Sequence, residues 1–409
     1  MLKGLPMSHT PTRPSDTYSP LYFLASLGAG GLSVTFFMWL MHWVPHPGKT
    51  VPVFEDIAAA FASGSVLMQG MILLAAAAIA FFVFLNLKSL VWNLRSFSAW
   101  SKTEAYAKFS KTNAQSQVMA MPLALAMSVN GLFIIGLVFV PGLWSVIEYL
   151  FPLALVAFVA IGVLGFKLYA AFLGRVLTEG GFNCAANNNF GQVLPGFAFA
   201  MIAVGLAAPA AMSANATVAG IAVVLSSFFF MVAALIAIAG VLLGLRSMME
   251  NGANAETAPT LMIVVPLLAV LGILMLRQDH GLHTHFGTAS SAGESLLLLS
   301  KLVSVQVIFL MLGLFVLVRQ GYAKRFLFGA ENSAGAYALV CPGVGFAVLT
   351  HFLVNKGLVD AGIVAKFSAG YWAVTLVALV SQAAMIWLVL HLNRRHFGAP
   401  RPMVGVPAE

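Results

Sequence analysis

Ten times along this chain, apolar residues run on for about the 20 positions that an α-helix needs to cross a hydrocarbon layer. The runs fall near 20–44, 65–91, 118–140, 145–174, 191–212, 216–245, 258–277, 295–318, 333–355 and 368–392. They are far longer than the alternating strands of a membrane barrel, about 10 residues each. Only 8% of the residues are charged, against about 25% in a soluble domain. The fold expected is an all-α polytopic membrane protein: one ten-helix domain over 20–392, with cytoplasmic tails at 1–19 and 393–409. The first 20 residues lack the short apolar core of a cleaved leader, so the first span is read as retained.

Several spans carry residues that interrupt a helical ladder. The ninth, "SAGAYALVCPGVGFAVLTHF", has Pro342 between Cys341 and Gly343. Pro122 lies in span three, Pro195 and Pro209 in five, and Pro259 and Pro266 in seven, while span one has Gly28, Gly30 and Gly31. Among even spans only the fourth has a proline, Pro152. Irregular backbone at membrane depth is tolerated where it packs in protein or lines a wet cavity. The odd spans are therefore expected inside and the even spans against lipid, with Pro122, Pro195, Pro266 and Pro342 as helix breaks. The tight connections at Pro141-Gly142 and around Asn215 pair each odd span with the following even one, giving five hairpins. The plainer alternative is that Pro and Gly are simply common in membrane helices.

Charge sets an orientation. If both termini are cytoplasmic, all but five of the 21 Lys and Arg lie on that side or at adjoining helix ends. The exceptions are Lys49, Arg277, Lys301, Lys356 and Lys366, a split that follows the positive-inside rule. The same rule accounts for the net charge of +8 without nucleic acid as a partner.

None of the 13 acidic residues is mid-span, which speaks against a cation filter or a carboxylate-based proton carrier. Lys301 is the deepest expected cation and reads first as a snorkelling lysine on an outer helix. His42, His351 and His391 lie near span ends, with no pair on one helix, so a two-histidine haem site has little support. The stretch "RQDHGLHTHFG" gathers Asp279, His280, His283 and His285 and reads as a polar loop before it reads as a metal site. Cys184 and Cys341 define no disulfide framework. No nucleophile–base pair, metal cluster or phosphate loop is evident, so no catalytic residue, cofactor or enzyme activity is expected. Phenylalanines on odd spans are candidates to plug a narrow passage: Phe133, Phe197, Phe199 and Phe346.

Three stretches resemble the TehA tellurite-resistance/dicarboxylate transporter family, which is related to plant slow anion channels. "SPLYFLASLGAGGLSVTFF" in span one is similar to that family's P-x-Y-F-x-x-x-L-G opening. "TAPTLMIVVPLLAVLGI" resembles its proline-bearing seventh helix, and "AYALVCPGVGFAV" its ninth. The resemblance implies a channel or transporter for small anions in a bacterial inner membrane, commonly a homotrimer with one pore per subunit. Relatives carry a gating phenylalanine near the proline of the ninth helix, where this chain has Cys341, with Phe346 about one turn further along.

The resulting expectation is an anion pore lined by the odd spans. Phe199, Phe346 and Cys341 are the gate candidates, and Ser33, Ser128, Asn130, Tyr337 and Thr350 the lining candidates. Two alternatives stay open: a membrane subunit of a quinol or haem complex, and a non-transporting scaffold.

Overall fold

The computed structural model describes residues 18–289 and 291–398. Among the described residues, ten helices are long and apolar enough to span a membrane: Pro20–Trp43, Val66–Trp100, Asn113–Phe139, Leu143–Glu179, Gly191–Met212, Ala216–Asn251, Ala258–Phe286, Ala292–Arg319, Ala334–Val359 and Ala369–Phe397. They are spans one to ten below. The expected tails lie mostly outside the described residues, and span ten continues five residues past the expected boundary at 392.

Each odd span packs on the even span that follows it. The odd spans also touch one another in the order one–three–five–seven–nine–one, which closes a ring. Each even span fills the outer groove between its own odd span and the next. Burial separates the rings: 94% of the most apolar window of span five is enclosed by protein, but only 17% of that of span eight. The even spans instead present large apolar side chains outward, such as Leu153, Leu235, Val318 and Leu376, as a lipid-facing surface requires.

The odd spans share a second feature. All five open with a 3-10 segment, at Pro20–Tyr22, Asn113–Met119, Gly191–Val193, Ala258–Met262 and Ala334–Leu339. The four expected break prolines sit just after these turns. Pro122, Pro266 and Pro342 are each third in the α-segment that follows, and Pro195 is second. A proline there removes an N–H that the first helical turn could not have used. The prolines therefore mark where an odd span enters its α-helix, at one common end of the ring, and do not cut the helices at mid-membrane. The mid-helix interruption falls at Ala207, between Leu194–Leu206 and Ala208–Met212, with Pro209 just beyond it.

Polar side chains of the even spans hydrogen-bond to carbonyls in the first turns of the odd spans. The Asn86 amide donates to the Ser26 carbonyl at 2.8 Å, and Asn93 to that of Tyr22 at 3.0 Å. Gln306 donates to the Val265 carbonyl at 2.7 Å, and the Ser381 hydroxyl to that of Gly343 at 2.9 Å. Each bond ties an odd span to the even span packed on it, and the one to Tyr22 reaches the 3-10 entry of span one.

Small residues set the spacing within the ring. A Cβ on Gly345 would stand 2.7 Å from the Pro266 Cα, so spans seven and nine touch backbone to backbone there. Gly28 and Gly31 likewise admit Val340 and Val344 of span nine.

Candidate functional site

A cavity of about 710 Å³ occupies the centre of the ring and is walled by all five odd spans. It opens at the end that carries Lys49, Lys356 and Lys366 and runs inward to Cys341. From Asp360 at the rim to Cys341 is 19 residues, roughly 28 Å of helix, close to the thickness of the hydrocarbon core. Leu27, Phe197, Pro266 and Cys341 lie at the inner end. Beyond them the 3-10 segments pack on one another, with Phe23, Leu123, Val193 and Tyr337 fully buried. The passage is a deep vestibule, open at one end and closed at the other.

Its wall is mainly apolar, rich in Met, Val, Leu and Phe, and the charged groups concentrate at the open end. Of the five cations on the cation-poor side of the chain, four line the cavity: Lys49, Arg277, Lys356 and Lys366. Lys301 does not; it is exposed on span eight, which is the geometry of a snorkelling side chain. The acids of this side divide between partners away from the cavity and groups on it. Glu55 accepts the Gly142 N–H at 2.7 Å, Glu148 holds Ser213 and Ala214, and Asp56 binds Lys49 at 2.8 Å. Asp279 and Asp360 reach the cavity wall, Asp360 lying 3.4 Å from Lys356. Burial pulls the Lys366 ammonium below the usual lysine range; Asp360 works against that shift and Lys356 adds to it. At the same rim, residues Leu353–Val359 of span nine form a π-helical turn that presents Asn355 and Lys356. Turns of this kind often mark functional sites.

Arg277 is the charge that sequence reading placed too shallow. Span seven does not end there: it stays helical through the polar run to Phe286, nine residues on, so Arg277 lies about 13 Å inside the helix end. The same extension puts Asp279, His280, His283 and His285 on a helix, where a loop was expected. His285 bonds the Ser213 carbonyl and His283 that of Thr288. No metal-holding group of three or more His, Cys, Asp or Glu forms among the described residues. The Arg277 Nη1 donates to the Val204 carbonyl at 2.7 Å. That carbonyl belongs to the last turn of Leu194–Leu206, whose terminal acceptors have lost their helical partners. The interruption in span five and the cation in span seven thus meet on the cavity wall.

Cys341 and Asn130 line the cavity, the Asn130 amide donating to the Ala126 carbonyl at 3.1 Å. The other expected lining residues turn away from it. Ser33 and Ser128 bond carbonyls of their own helices, Tyr337 donates to Asn393 at 2.8 Å, and Thr350 is buried. The phenylalanines divide too: Phe133 and Phe197 line the cavity, whereas Phe199 and Phe346 do not. Phe199 packs on Phe166 of span four and Phe229 of span six, between the rings. Phe346 packs against the cluster of Met262, Leu317 and Phe326.

Sequence reading found no histidine pair within one helix, but the fold makes one between two. His42 and His351 stand with ring centroids 6.2 Å apart and near-parallel planes. Their spacing along the sequence carried no sign of this. His351 is fully buried and absent from the cavity wall, and Trp43 and Phe352 pack against the pair. A scan against protein-family models and a search of curated proteins return no match for the chain.

Proposed function

We propose that this protein is a channel or transporter that moves small anions through the central passage, without catalytic chemistry. One observation carries the reading: four of the five cations on the cation-poor side line the vestibule, against two carboxylates, Asp279 and Asp360. A cation-rimmed cleft with low-dielectric walls concentrates anions at its mouth. Below the rim, the narrowing among Leu27, Phe197, Pro266 and Cys341 supplies an apolar constriction of the kind that holds back hydrated ions. The TehA resemblance points the same way and adds a homotrimer in a bacterial inner membrane. With both termini cytoplasmic by the charge rule, the vestibule faces outward.

Anion uptake into proteoliposomes tests this. Uptake of at least one small inorganic or carboxylate anion, lowered when Lys356 and Lys366 are both changed to Gln, is the expected result. No uptake of any anion by folded, inserted protein would overturn the reading and favour a scaffold.

A further inference from the structure

We propose that Arg277 is the selectivity residue of the vestibule and binds planar oxyanions, nitrate or a small carboxylate, in preference to halides. The proposal rests on the anion reading above and deepens it.

Depth separates Arg277 from the other cations of the cavity. Lys49 is held by Asp56, Lys356 lies beside Asp360, and Lys366 sits in the rim loop, where its ammonium stacks on Phe367. Arg277 lies further in on span seven, at the start of the polar run after Leu276, with Ile273 and Leu276 lining the cavity before it and Asp279 and His280 after it. No ion pair to it forms among the described residues.

The chemistry of the side chain then narrows the ligand. A guanidinium has five N–H donors in a rigid plane. One nitrogen, Nη1, is tied to the Val204 carbonyl across the ring, which fixes the plane relative to span five. No other hydrogen bond of this guanidinium to the described residues is formed, so Nε and Nη2 keep a parallel pair of donors. Two parallel N–H groups match two oxygens of a planar oxyanion, and a spherical halide meets only one such contact well. A lysine at this depth would provide charge without the fork. The tether has a second consequence, because an arginine committed to a backbone acceptor is kept from collapsing onto an acid at the rim.

The test compares wild type with Arg277→Lys and Arg277→Gln, purified in detergent and reconstituted. Arg277→Lys keeps a cation on this turn and removes the fork, so it separates loss of the fork from loss of charge. Nitrate and formate, compared with chloride at equal ionic strength, are expected to raise the melting temperature of wild type but not of Arg277→Lys. In liposomes, the preference for nitrate over chloride is expected to fall about tenfold in Arg277→Lys, the loss of one charge-assisted contact. Equal stabilisation by nitrate and chloride in wild type, or a preference that survives in Arg277→Lys, would overturn the proposal. Oxyanion-specific stabilisation that depends on Arg277 without flux of any anion would uphold the binding site and defeat the transport reading.

Discussion

The two ends of the inner ring are built from the same five helices and solve opposite problems. At the closed end each helix begins with a 3-10 turn, the turns pack together, and the outer ring donates hydrogen bonds inward. Tyr18, Tyr22, Trp92, Tyr337 and His396 join there, with the Tyr22 hydroxyl 3.1 Å from the His396 Nδ1 and the rings of Tyr22 and Tyr337 6.3 Å apart. At the open end the helices enclose a space walled by Met, Val and Phe and rimmed with lysine. Polar groups are consumed by structure at the first end and presented to a cavity at the second. Closed-end substitutions should therefore cost stability, and open-end substitutions should change permeation.

The largest effect is expected where spans seven and nine approach backbone to backbone. Gly345→Val puts a side chain against the Pro266 backbone and should destabilise the fold by about 3 kcal/mol, seen as a lower melting temperature in detergent. Asn86→Leu removes the two hydrogen bonds that its amide donates to Ser26 and should cost about 2 kcal/mol, with anion selectivity unchanged in whatever folds. Tyr337→Phe removes only the hydroxyl bond to Asn393 and should cost about 1 kcal/mol without altering flux. A flux change in either closed-end variant, at normal stability, would erase the proposed division.

Lys366→Gln, at the other end, should leave stability within about 0.5 kcal/mol and lower anion uptake at neutral pH. The sign of its pH dependence follows from burial. The depressed pKa means that Lys366 loses its charge at a lower pH than an ordinary lysine, and uptake should begin to fall below the usual lysine range. The burial penalty on the charged form is fully present below the depressed pKa and is relieved as pH rises through it, so this residue makes the fold slightly more stable at alkaline pH. A pH–uptake profile unchanged by Lys366→Gln would remove this lysine from the entry path.

The parts of this fold legible in the sequence follow from length and composition. Ten spans, their pairing and the inside–outside parity come from hydropathy and from where Pro and Gly fall. Rotation about a helix axis does not. Phe197 and Phe199 are two residues apart and so point about 200° apart, and only the packing of spans four and six against span five decides which one faces the cavity. The short 3-10 entries leave no periodic trace, so Pro342 reads as a mid-span break when it sits at a helix start. Arg277 was missed for a different reason. Hydropathy stops at the polar run after Leu276, but backbone hydrogen bonding does not, and the helix carries its charge deeper than the apolar boundary implies.

The account turns on a passage open at one end and closed at the other, and Cys341 reports on it directly. In a Cys184→Ser background, which removes the exposed thiol, Cys341 is the remaining cysteine. Oriented vesicles would be treated from one side at a time with a small, membrane-impermeant thiol reagent. The prediction is modification of Cys341 from the side bearing Lys49, Lys356 and Lys366, and protection from the side bearing the termini. Modification from the terminal side, or from neither side, would contradict it.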